Sequence, residues 1–99
     1  MAQFDVWQMR KGGLLVLDCQ ADLLEALNTR VVVPLIPLAD APRPARNLNP
    51  VFEIDGARYY LATQQLSAVE LKELGGKAGS LAAQRREITN ALDFLLTGV

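Results

Sequence analysis

Histidine is absent from this chain, and cysteine occurs once, as Cys19. The first absence excludes the usual zinc sites and the Ser-His-Asp and Cys-His arrangements of nucleophilic catalysis. A single cysteine allows no internal disulfide, which fits a reducing cytoplasm. Cys19 itself reads as a small buried apolar side chain. Glycines form no phosphate-cradling loop; Gly12-Gly13 and Gly75-Gly76 read as turns. Asp18 and Asp22 are too sparse a carboxylate pair for a metal and suit turn or cap positions. Neither a metal nor a cofactor is therefore expected. No apolar run approaches the ~20 residues of a membrane span. The opening Met1-Ala2-Gln3-Phe4-Asp5 lacks the charged-then-apolar order of a secretion signal. Basic charge is not in excess either, the formal net charge being −1, so direct binding of nucleic acid is not expected.

What is present is apolar mass. The chain has 99 residues, of which 51% are hydrophobic, enough for one domain over residues 1–99 with a real core. Phe4-Asp5-Val6-Trp7-Gln8-Met9 and Leu14-Leu15-Val16-Leu17-Asp18 read as strands of a hairpin, split by Arg10-Lys11-Gly12-Gly13. Asp22–Leu27 is too short for a stable helix and reads as a turn or a loose helical loop. The strongest strand pattern is Arg30–Leu38. Its Pro34 and Pro37 each remove a ladder donor, which predicts an edge or a bulge for its second half. All five prolines fall between Pro34 and Pro50, so Ala39–Asn47 reads as a long exposed loop, made locally positive by Arg43 and Arg46. Val51–Ile54 and Arg58–Ala62, joined at Asp55-Gly56, predict a second hairpin. Leu66–Leu74 predicts another strand, broken by Gly75–Gly79.

Ser80 is suited to cap a final helix of about 18 residues, about 27 Å at roughly 1.5 Å per residue. Leu81, Ile88, Leu92 and Leu95 line the face that must meet the sheet. Arg86, Asn90, Asp93 and Thr97 form a second, polar stripe. That stripe leads to a tip that stays apolar through Phe94, Leu95 and Leu96 until Gly98, a residue suited to stop the helix in the left-handed conformation, followed by Val99. The expected architecture is mainly β, a twisted antiparallel sheet or small barrel closed by one C-terminal α-helix.

Asp18–Leu24, Arg30–Leu35, Asn49–Ile54 and Asn90–Val99, collinear in their order and spacing, resemble the CcdB family, whose members are toxins of toxin–antitoxin modules that poison DNA gyrase. The resemblance spans Phe4 to Val99. It implies an SH3-like barrel with a small inserted sheet, assembled as a homodimer with the C-terminal helices near the twofold axis. It implies a non-enzymatic inhibitor whose paired C-termini enter the gyrase A subunit and trap the enzyme on cleaved DNA. Carried over by position, the gyrase-facing residues are Leu23, Leu24, Asn90, Asp93, Thr97, Gly98 and Val99. Arg43 and Arg46 fall where a partly disordered, CcdA-like antitoxin docks, and an acidic segment that folds on binding suits them. Operator DNA would be reached through the antitoxin, since the chain has no DNA-binding motif of its own.

Two positions depart from a familiar branch of the family. Thr97 stands where that branch has a tryptophan that stacks on a gyrase arginine, so a cation–π contribution of about 1–2 kcal/mol is missing. Asp93 stands in place of an asparagine and adds a charge. Two alternatives follow: a non-toxic relative that keeps antitoxin binding and operon co-repression, and an endoribonuclease toxin on the same barrel, using Thr29 and Arg30.

Overall fold

The computed structural model describes residues 1–40 and 43–98. Strands β1 (Asp5–Met9), β2 (Leu15–Asp18), β3 (Thr29–Pro37), β4 (Val51–Ile54), β5 (Ala57–Leu61), β6 (Ser67–Glu70) and β7 (Leu74–Ser80) precede the helix α1 (Arg85–Thr97). The strands form one antiparallel sheet in the order β4-β5-β3-β2-β1-β7, with β6 also paired to β3. A single 3₁₀ turn, Leu71–Glu73, carries the chain from β6 on one side of β3 to β7 on the far side of β1. That crossover curls the sheet into a half-barrel.

The curl gives the central strands two apolar faces, which is why they read as runs rather than alternations. Val6, Leu17 and Val33 lie in register on one face. They pack with Phe52, Ile54 and Leu61 of the β4–β5 hairpin and with Leu81 and Ile88. Trp7, Val16 and Val32 belong to the other face, gathered with Val69, Leu71 and Leu74 inside the curl. Asp55 and Gly56, both at positive φ (51° and 81°), supply the tight turn of the inserted hairpin.

The prolines of β3 do not place it at an edge; it is flanked on both sides. Val32 is the last residue paired with β6 and Leu35 the first paired with β5. The Pro34 carbonyl accepts the Ala62 N–H on that same side, so its missing donor falls in the gap between the two partners. Pro37 lies beyond Leu35, the last β3 residue paired with β2. Each proline thus occupies a place where no acceptor waits.

The glycine run that reads as a breaker is itself strand β7, paired with β1 through two register irregularities. A Cβ on Gly75 would stand 2.8 Å from the Gln8 carbonyl oxygen, so only glycine lets the two backbones approach this closely. Gly75→Ala is expected to lower stability by about 1–3 kcal/mol in a urea melt. Gly76, where an added methyl would meet nothing within 4 Å, is the matched control.

The helix is also shorter than its pattern suggests. Ser80 ends β7, and its hydroxyl accepts the Ala82 N–H at 3.2 Å. Leu81 is buried and donates to the Phe4 carbonyl, which holds the chain on the sheet before a 3₁₀ turn, Ala82–Gln84, leads into the 13 residues of α1. Phe4 bears the strain of this junction: it is fully buried at φ 71°, a conformation that costs about 1–3 kcal/mol in a residue with a side chain. The Arg85 guanidinium lies over its ring, 5.2 Å from the centroid.

Candidate functional site

Ile88 and Ala91 are buried against the sheet, with Leu92 and Leu95 partly covered beside them. That orientation turns Arg86, Asn90, Asp93 and Thr97 outward, and all four are exposed. The Thr97 hydroxyl donates to the Asp93 carbonyl at 2.7 Å, so it is folded back on its own helix rather than projecting. Gly98 adopts the left-handed conformation (φ 77°, ψ 12°), and its N–H donates to the Phe94 carbonyl. This ends the helix and redirects the chain. Apolar surface persists beside the stop: Leu96 is 72% exposed and Phe94 36%. Val99, expected at the tip, lies outside the described residues.

Asn90 also faces sideways. With Glu87 and Phe94 of α1 and with Asn47 and Pro50 before β4, it lines a groove of about 610 Å³. Arg43 and Arg46 are exposed, and Arg46 precedes the groove residue Asn47. The segment bearing Arg46 is more firmly held than its composition suggests. Buried Asn49 donates to the Leu61 carbonyl and to Gln64 Oε1 and accepts the Ala45 N–H, and Thr63 donates to the Leu48 carbonyl at 2.5 Å.

Leu23 and Leu24 belong to a separate surface, in the 3₁₀ turn Asp22–Leu24. Leu23 is 92% exposed, and Leu24 and Leu27 are about half exposed. Asp22 accepts the Gln3 N–H at 2.7 Å, which fastens this loop to the segment carrying Phe4, beneath Arg85. Thr97 lies about 18 Å further along the helix axis from Arg85. Asn90, Asp93, Thr97 and Gly98 are therefore brought onto one continuous surface, whereas the two leucines lie apart from it on another element.

Behind the loop sits a buried polar group that no sequence motif signals. Arg30 lies with its Nε 3.8 Å from Asp18 Oδ2, and Asp18 also accepts the Gln20 N–H. Burial raises the Asp18 pKa, against the opposing pull of the Gln20 N–H and Arg30. Next to it, burial and the Asp18 charge push the Cys19 thiol up to about 12. The thiolate is the reactive form, so Cys19 is expected to stay unmodified by iodoacetamide at neutral pH in the folded protein and to react fully in urea, as mass spectrometry would show.

A family model described as "CcdB protein" matches residues 3–98, and the chain belongs to the CcdB family. Among solved structures it is similar to an "Endoribonuclease in complex with its cognate antitoxin from Mycobacterial species", at 17% identity and a TM-score of 0.81, covering 97% of this chain and 94% of that one. It is similar as well to an "Endoribonuclease from Mycobacterial species", at 17% identity and a TM-score of 0.80, covering 97% and 90% of the two chains. These likenesses establish the fold: mainly β, a curled antiparallel half-barrel with one C-terminal helix. No helix among the described residues is long and apolar enough to cross a membrane.

Proposed function

We propose that residues 1–99 act as a single toxin domain of a type II toxin–antitoxin module, binding the DNA gyrase A subunit and trapping gyrase on cleaved DNA. The observation that carries this reading is the exposed stripe of Asn90, Asp93 and Thr97 running into left-handed Gly98, on a helix anchored by Ile88. In a family whose C-termini enter gyrase, Asn90, Asp93, Thr97 and Gly98 would then be presented together along one stem. Asn90 and Asp93 would hydrogen-bond along the stem, Gly98 would aim the tip, and Thr97 and Val99 would fill the gyrase cavity. Leu23 and Leu24 would extend the contact. Assembly as a homodimer would present two tips and multiply the affinity, provided both engage at once.

Neutralisation by an antitoxin fits the same surface. Arg43 and Arg46 offer charge to an acidic segment, and the groove shared by Asn47 and Asn90 would bring such a segment against the gyrase-facing helix. Gyrase acts on intracellular DNA, so the site of action would be the cytoplasm, and operator DNA would be met through the antitoxin.

A second reading, RNA cleavage, is favoured by the likeness to two endoribonuclease structures. Arg30 argues against it. This residue is 4% exposed and its guanidinium is already engaged by Asp18 and by loop carbonyls, so it is not free to stabilise a phosphorane-like transition state. A third possibility, a relative that binds antitoxin without toxicity, differs from the first only in what the tip does.

The test is gyrase with supercoiled plasmid and ATP, run beside total RNA. Linear, protein-linked DNA together with intact RNA is the expected result. RNA degraded at catalytic amounts of protein would replace the proposal with the second reading.

A further inference from the structure

Residues 21–28 are all exposed, and the backbone bonds inside this stretch are short turns: Leu24 to Ala21, Glu25 to Asp22 and Leu27 to Leu24. The stretch is pinned near its ends, where Asp22 accepts the Gln3 N–H and the Asn28 carbonyl accepts the Leu71 N–H, but between these points an exposed loop tied only by short turns samples many shapes. Here its shape is set from beneath by side chains. Arg30 Nη2 donates to the Glu25 carbonyl at 2.7 Å, and Nη1 donates to the carbonyls of Leu27 (3.1 Å) and Thr29 (2.9 Å). Gln20 Nε2 donates to the Leu24 carbonyl at 2.9 Å while its Oε1 accepts the Val31 N–H at 3.1 Å. One planar guanidinium thus binds two alternate carbonyls of the loop and a third, that of Thr29, where β3 begins, a task for which its rigid fork is suited and an ammonium is not. The Asp18 carboxylate balances the charge.

The surface held in this way is apolar. Leu23, Leu24 and Leu27 project from it, an arrangement that folding alone does not reward, since large aliphatic side chains are usually buried. We propose that Arg30, assisted by Gln20, is a positioning residue for partner binding. It does not touch the partner; it holds Leu23, Leu24 and Leu27 in one shape, so that binding need not order the loop. Leu27 thereby joins the contact. The inference rests on the reading of this loop as part of the gyrase-facing surface.

Arg30→Lys tests it. The charge beside Asp18 is kept, so a purely electrostatic role in the core would be satisfied, but the three carbonyls can no longer be spanned. Amide exchange in residues 21–28 is expected to accelerate at least tenfold while β1–β3 amides keep their protection. Affinity for the gyrase A subunit is expected to fall at least tenfold. In a Leu23→Ala/Leu24→Ala/Leu27→Ala background, the same substitution is expected to cause no further loss, which a general effect on stability would not reproduce. If Arg30→Lys loosens the loop and affinity stays within twofold, or if the loss is equal in both backgrounds, the positioning role is overturned. If the leucine variant binds like the parent while removal of Gly98 and Val99 abolishes binding, the loop is not a contact; the inference falls and the gyrase reading stands. If the parent itself does not bind, both fall. Where Arg30→Lys unfolds the chain, Gln20→Met, which removes only the donor to the Leu24 carbonyl and the acceptor of the Val31 N–H, is measured in its place with the same expectations.

Discussion

Removing Gly98 and Val99 is expected to abolish the growth arrest that the proposed toxin activity would cause on expression, while the protein's thermal midpoint moves by only a few degrees. The two halves of this expectation have different physical origins. Gly98 is exposed, and its backbone N–H makes the cap to the Phe94 carbonyl. Loss of that bond frays the last turn, at a cost of about 0.5–1.5 kcal/mol, while Ile88 and Ala91 keep the stem docked. On the functional side, a tip that fills a partner's cavity concentrates the binding energy. Truncating such a contact typically costs more than about 2 kcal/mol, or about 30-fold in affinity per site. Two tips acting together would compound the loss. A truncated protein that folds normally and still arrests growth would remove the tip from the account.

Ile88→Ala is expected to lower stability by about 2–5 kcal/mol, the range for deleting aliphatic volume from a core that collapses only partly. Ile88 is fully buried and packs in the cluster that also contains Phe4, Leu17, Leu35 and Leu81. Among the helix residues it shares full burial only with Ala91, so α1 has few anchors, and losing one loosens the whole stem. Toxicity should decline with the folded fraction, and should return on cooling or when a compensating core substitution restores the melt. Chemical denaturation of the purified variant measures the first effect. A change below about 0.5 kcal/mol would mean that the helix is held by other contacts.

The stripe of α1 is legible in the sequence because helical spacing survives any packing: Arg86, Asn90, Asp93 and Thr97 must share a face once Ile88 and Leu92 face the core. The Asp55-Gly56 hairpin is legible for a similar reason, since the turn chemistry is local. The elements that sequence reasoning misplaces depend on distant partners. Gly75–Gly79 reads as a breaker because nothing in the run reveals that the Gln8 carbonyl will press against it. Pro34 reads as an edge residue because the gap between β5 and β6 arises only when β3 acquires two partners on one side. Ser80 reads as a helix cap because the bond from Leu81 to the Phe4 carbonyl joins residues far apart in sequence. Arg30 is visible only as a candidate catalytic residue. Its hold on Glu25, Leu27 and Thr29 needs the loop's path, although a lone arginine opening an otherwise apolar strand is a signal that a buried partner exists.

The most direct measurement is amide hydrogen exchange of the intact protein with and without the gyrase A subunit. Added protection is expected at Asn90, Asp93, Thr97 and Gly98 and across Leu23–Leu27, with little change in β4 and β5. Protection that leaves the end of α1 untouched, or none at saturating gyrase, would contradict the claim that this helix is the surface through which the protein acts.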